Sequence, residues 1–187
     1  MSTTIAVKPK ATVEALYHVP EHGKAELING EVVRFMSTGF LPNRAASRVW
    51  RSLDDHEQAH GGGVAVSDNA GFIVDLPHRE SFSPDAAWFT GLTTGMKFLN
   101  GAPAFAVEVR SENDYGKTAE EEITAKRSDY FAAGTLVVWD VDLLSDEVIR
   151  VFLASDPENP TIYRRGEIAE AEPAVPGWRF PVDELFA

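Results

Sequence analysis

Cysteine is absent from all 187 residues. Its absence excludes disulfide bridges, thiolate nucleophiles and cysteine-ligated zinc, and it accords with a reducing compartment. Long apolar runs are missing too: none approaches the about 20 residues that a membrane-spanning helix needs. The opening stretch, MSTTIAVKPKATVEALY, has no apolar core of the kind a secretory signal requires. The expectation is a cytoplasmic protein with no membrane partner. Basic residues are scarce, 17 Lys and Arg against 29 Asp and Glu, for a formal net charge of −12. This argues against a general phosphate-binding surface, because affinity for a nucleic-acid backbone rests on Lys and Arg displacing its counterions. Residues 140–187 hold 11 acidic and 4 basic side chains, so any positive groove has to come from the earlier part of the chain.

What is present is an ordinary globular composition, 44% apolar and 25% charged, at a length that suits one domain. Residues 1–11 read as a flexible tail and 12–187 as the domain. Thr12 can cap a short helix over VEALYHV, which stops before Pro20. Asn29-Gly30 between two extended runs is a strong hairpin signal. From Pro42 to His60, Ala45, Ala46, Val49, Trp50 and Leu53 fall on one helical side, and three glycines follow. Strands are predicted at VAVS, GFIVDL, SPDAAWF, residues 103–110, TLVVWDVD, EVIRVFLA and TIYRR. Thr118 and Glu121 form a capping-box pattern for a helix that closes at Gly134. The fold class is α/β, one domain around a mixed sheet flanked by helices.

Within PAFAVEVRSEND, the strand alternation puts Phe105, Val107 and Val109 on one face and Ala104, Ala106, Glu108 and Arg110 on the other. Small alanines leading to Glu108 describe a recess with a charged floor. Asp85 follows Pro84 and precedes another apolar strand. On the later helix, Ile123, Lys126, Arg127 and Tyr130 share a face, which sets a lysine beside an apolar stripe. Two carboxylates from adjacent strands can hold a hard divalent cation through oxygen, and a neighbouring ammonium can position phosphate or water.

These segments, together with TVEALYHVPEHGKAELINGEVVRFM and KRSDYFAAGTLVVWDVD, resemble the Uma-two family of restriction-endonuclease-like proteins, a branch of the PD-(D/E)xK nucleases. The resemblance runs over residues 12–153. It implies a restriction-endonuclease-like fold and a Mg²⁺-dependent (or Mn²⁺-dependent) endonuclease acting on DNA, with a homodimer as the expected assembly. By the same resemblance, Asp85 and Glu108 would be metal ligands, Glu26 would orient from outside them, and Lys126 would be the catalytic lysine, with Arg110, two residues after Glu108, as the other candidate for that basic group. Arg110 and Asn43 would be substrate contacts. The chain departs from the family where a histidine is common near the start of the long helix, here LPNRAAS with Asn43, and where a glutamate commonly precedes the helical lysine, here Ala125. A non-catalytic dimeric binding module on the same fold is the alternative.

HEQAH, residues 56–60, is a literal H-E-x-x-H that would set His56 and His60 on one zinc ion with Glu57 as base. Asp54 and Asp55 just before it, the glycines just after, and the lack of an obvious third ligand weigh against that zinc hydrolase. Neither GGGV nor GFLPN is a phosphate loop, and no nucleophile elbow is present.

Overall fold

The computed structural model describes residues 10–19 and 23–187. Most of the expected tail, residues 1–9, lies outside them. Helix α1 (Val13–Leu16) is only four residues long, and Thr12 at its N-cap makes no side-chain cap bond. So short a helix never recovers its nucleation cost by propagation, and it stops earlier than the sequence predicts. Strands β1 (Ala25–Ile28) and β2 (Glu31–Arg34) make the predicted hairpin, with Asn29 and Gly30 at φ 54° and 73°. Both central residues then have the positive φ that matches strand twist. The register pairs Glu26 with Val33, and beyond the ladder the Phe35 N–H donates to the Lys24 carbonyl at 2.9 Å.

Helix α2 (Phe40–His60) starts two residues before Pro42, with Gly39 as N-cap and Gly61 as C-cap at φ 66°. Pro42 falls inside the first turn, where a missing N–H is harmless. Helix α3 (Lys117–Ala132) has Gly116 at its N-cap, at φ 93°. Thr118 therefore sits inside the helix, and the predicted capping box does not form.

The strands divide into two larger sheets rather than the one the sequence suggests. One has the order β2-β1-β5-β4-β7, adding β4 (Phe72–Leu76), β5 (Arg79–Phe82) and β7 (Leu99–Asn100) to the hairpin. The other has the order β11-β10-β9-β8-β6-β3, built from β3 (Val64–Ser67), β6 (Ala86–Phe89), β8 (Phe105–Val109), β9 (Val137–Val141), β10 (Ile149–Leu153) and β11 (Asp156–Tyr163). A ribbon of β12 (Ile168–Glu170) and β13 (Arg179–Pro181) follows, then a 3-10 helix, Val182–Phe186. Strand β5 escapes a hydropathy reading because its sequence, RESF, has one apolar residue.

The six-stranded sheet separates two cores. On one face Phe105, Val107 and Val109 pack against Ala45, Val49 and Leu53 of α2 and against Trp139, Trp178 and Phe180. On the other face Ala87, Ala106 and Val138 meet Phe72 and Phe82 of the five-stranded sheet and Tyr130 of α3. Strands β8 and β9 run parallel, so α3 is the crossover between them and lies on the second face.

Gly63 fixes how closely β3 approaches β6. A methyl group there would lie 2.4 Å from Trp88 Nε1 and 2.9 Å from the Phe89 carbonyl oxygen. Gly63→Ala should lower the unfolding free energy by about 1–3 kcal/mol, read from the urea midpoint. An unchanged midpoint would show that β3 moves aside freely.

Candidate active site

Asp85 immediately precedes β6, whose ladder pairs Ala86 with Val107 of β8. Its N–H continues the pairing to the Val107 carbonyl at 3.0 Å. Asp85 is thus held against β8 at the residues on either side of Glu108, its N–H on Val107 and its Oδ2 on Val109. The two carboxylates are near enough for the Asp85 charge to act on Glu108.

Each carboxylate meets an ammonium. Asp85 Oδ1 lies 2.8 Å from Lys24 Nζ, while Oδ2 accepts the Val109 N–H at 2.8 Å. Lys24 is shared with Asp68 Oδ1, also at 2.8 Å. Glu108 Oε1 lies 2.8 Å from Lys126 Nζ and accepts the Tyr130 hydroxyl at 2.6 Å. Both of these contacts fall on Oε1, and the Glu108 side chain is 26% exposed. Lys126 also reaches Glu26 Oε1 at 3.0 Å. Glu26 is fully buried, and it accepts the Ser83 N–H at 3.0 Å on Oε1 and the Arg79 guanidinium on Oε2. Arg79 Nε donates in turn to Asp129 Oδ2 at 2.7 Å, and His78 Nε2 lies 2.6 Å from Asp129 Oδ1. Helix α3 supplies Lys126, Asp129 and Tyr130 at i, i+3 and i+4, which places all three on one face.

Burial raises the Glu108 carboxyl above the ordinary glutamate range; Lys126 opposes the rise, and the Asp85 charge adds to it. Burial alone would lower Lys126, but Glu108 and Glu26 outweigh it and hold the ammonium above the usual lysine range. Lys24 is raised in the same way, burial being overcome chiefly by Asp85 and then Glu108. Tyr130 is pushed well up by burial and by Glu108. Lys126 is therefore a fixed cation and Tyr130 a neutral hydroxyl donor; neither is a proton acceptor at neutral pH.

Of the sequence-predicted residues, Glu26, Asp85, Glu108 and Lys126 come together. Arg110 does not join them. Its guanidinium forks onto Asp140, with Nε and Nη2 each 2.7 Å from a carboxylate oxygen, and onto Glu120, leaving the side chain 4% exposed. Asn43 sits exposed on the first turn of α2, and that helix packs on the opposite face of the sheet. In HEQAH, the Glu57 carboxylate accepts the Ala65 N–H at 2.7 Å, and the His56 and His60 rings stack at 4.5 Å. Among the described residues, no group of three or more His, Cys, Asp or Glu side chains is placed to hold a metal. Lys24, Arg79, Asp129 and Tyr130 are members that the sequence reading did not assign. Lys24 was within reach of it, since it stands two residues before Glu26 and so shares that face of β1.

The chain belongs to the Uma2 family, described as "Putative restriction endonuclease", whose model matches residues 11–183. Among solved structures it is similar to a "putative nuclease belonging to DUF820 from Anabaena variabilis". The TM-score is 0.71 at 14% identity, over 94% of this chain and 97% of that one. The shared fold is thus a nuclease-like α/β domain. Among curated proteins, none matches the sequence. No helix among the described residues is long and apolar enough to cross a membrane.

Two expectations concern the charges. Glu26→Ala leaves the buried Arg79 and the half-buried Lys126 without their shared anion and should cost about 3–5 kcal/mol of stability by chemical denaturation. A loss no larger than that of an exposed ion pair would remove Glu26 from the centre of the network. Glu120 is held below its ordinary 4.5, first by the hydrogen bond from Arg110. A depressed carboxyl gives its full stabilisation above 4.5 and loses it as pH falls below that value. The melting temperature of wild type should therefore fall faster below pH 4.5 than that of Glu120→Gln; parallel curves would deny the coupling.

Proposed function

We propose that the chain is a divalent-metal-dependent endonuclease of the PD-(D/E)xK type that hydrolyses phosphodiester bonds in DNA, with Mg²⁺ or Mn²⁺ as its cofactor. The observation that carries this reading is Asp85 held on the two residues that flank Glu108 in β8, with the Lys126 ammonium 2.8 Å from Glu108. The donor set fits such an ion, because carboxylate oxygens are what hard divalent cations prefer. Charge supports it too. Two ion-paired sets meet here, Lys24 with Asp68 and Asp85, and Lys126 and Arg79 with Glu26, Glu108 and Asp129. Counting carboxylates, lysines and arginines alone, each set has one negative charge in excess, together the charge that one divalent cation offsets.

Asp85 and Glu108 would hold the ion, Glu108 through the oxygen that neither Lys126 nor Tyr130 contacts. When bound, the ion supplies Lewis-acid stabilisation of phosphate charge and activates water at neutral pH. Lys24 would yield Asp85 Oδ1 and remain in the cleft on Asp68. Lys126, gripped by Glu26 and Glu108, presents a fixed positive charge to the phosphate as negative charge grows. Glu26 orients Lys126, and Tyr130 orients Glu108.

One observation favours a second reading, the non-catalytic module. Asp85 and Glu108 already have ammonium partners at 2.8 Å, so each is ion-paired without a metal. Calorimetric titration with Mn²⁺ and a plasmid-nicking assay separate the two. The nuclease reading expects saturable Mn²⁺ binding that Asp85→Asn and Glu108→Gln abolish, and cleavage that Lys126→Met lowers roughly 10²-fold or more. Folded protein that neither binds Mn²⁺ nor cleaves, with Glu108→Gln indistinguishable from wild type, would reject it.

A further inference from the structure

Beside the charged cluster the hairpin presents an apolar margin. Glu26 stands opposite Val33 in the ladder, and Lys24 stands opposite Phe35 through the bond from Phe35 N–H to Lys24 O. Opposed residues share a face, so Val33 and Phe35 lie on the same side as the two charged residues of the site. The Phe35 ring centre is 5.8 Å from Lys126 Nζ. Strand β2 is the outer strand of its sheet, and Phe35 remains 40% exposed and Val33 37% exposed. Beyond β2, Met36 is 83% and Phe40 76% exposed.

We infer that Phe35, backed by Val33, is a stacking shelf for an unpaired nucleobase, and that the nucleic acid this site takes is single-stranded DNA. The inference rests on the nuclease reading and names its substrate class. A chain of net charge −12 gains little from neutralising phosphates along a duplex. A base laid on an aromatic ring gains affinity that does not depend on net charge and tolerates any sequence. Bases in a duplex already stack on one another, so only an unpaired base offers its face to a ring at the mouth of a cleft. The position fits the chemistry as well: a base on Phe35 sits beside Lys126, which is itself bonded to Glu108.

Fluorescence anisotropy in EDTA, with labelled oligothymidylate and a hairpin duplex, tests the shelf without any requirement for cleavage. Wild type should bind the single strand more tightly than the duplex. Phe35→Leu, which keeps apolar bulk but loses the ring, should weaken single-strand binding roughly tenfold and leave duplex binding unchanged, while Phe35→Tyr should bind as wild type. Equal binding of the two DNAs, or Phe35→Leu behaving as wild type, overturns the inference. So does Phe35→Leu shifting a dimer to monomer on size exclusion with no change in DNA affinity, which would assign the β2 edge to a second copy of the chain. Tighter binding of oligouridylate overturns the assignment to DNA. Should Phe35→Leu not fold, photocrosslinking of wild type to a 5-iodouracil oligonucleotide decides the matter: attachment at Phe35 supports the shelf, and attachment elsewhere or none overturns it. Stacking that persists in EDTA while metal-dependent cleavage fails would sink the nuclease reading and leave the shelf standing.

Discussion

A single half-buried ammonium ties the molecule together. Lys126 bonds to Glu26, which belongs to the five-stranded sheet, and to Glu108, which belongs to the six-stranded sheet. Helix α3 is therefore fastened to both sheets at one point. A turn later, Asp129 binds Arg79 of β5, and next to it Tyr130 fills the second core, stacked on Phe82 at 4.1 Å. Burying ions is a poor route to stability, since desolvation costs several kcal/mol per charge and well-packed apolar residues often do as well. What the network fixes is position. Each carboxylate is held on more than one side, so the side chains at the junction of the sheets have little freedom.

That constraint explains why the second core is small and aromatic. Phe72, Phe82, Phe89 and Tyr130 occupy the space between the sheets, while the larger core on the other face takes α2 and the tryptophans of the C-terminal ribbon. Glu26 and Arg79 close one side of the smaller core. Arg79 stacks over Phe82 at 5.0 Å as it bonds to Glu26 and Asp129, so its stem packs as apolar surface while its head serves the ion pairs. Arg110 follows a different logic on the far side of α3: Asp140 and Glu120 enclose it, and it anchors the start of α3 to β9.

The sequence makes legible whatever depends on local pattern. Asn29-Gly30 specifies its turn, the alternation from Phe105 to Val109 specifies which face of β8 is core, and the i, i+3, i+4 spacing places Lys126 beside Tyr130. Local pattern fails where a distant partner decides the outcome. The charges of β5 are incompatible with a strand until Glu26 and Asp129 receive Arg79. Arg110 reads as a free cation two residues from Glu108, yet Asp140 and Glu120, both distant in sequence, have already claimed it. The division into two sheets is invisible for the same reason: strand identity comes from the chain, but strand order comes from which faces must be buried together.

The sign of the charge then orders the remaining parts. Against a polyanion, an acidic chain with an acidic cleft is repulsive by default, and the screening length of about 8 Å at physiological salt confines any local attraction to the cleft itself. Lys24 and Lys126 cannot provide that attraction unaided, because each is already matched by a carboxylate. On the proposed reading, an added divalent cation would change the balance where the phosphate sits, and the Phe35 ring would add affinity without adding charge. On that reading, the same acidity that disfavours a broad duplex-binding surface would favour a site that takes hold of one nucleotide at a time, by its base on one side and its phosphate on the other.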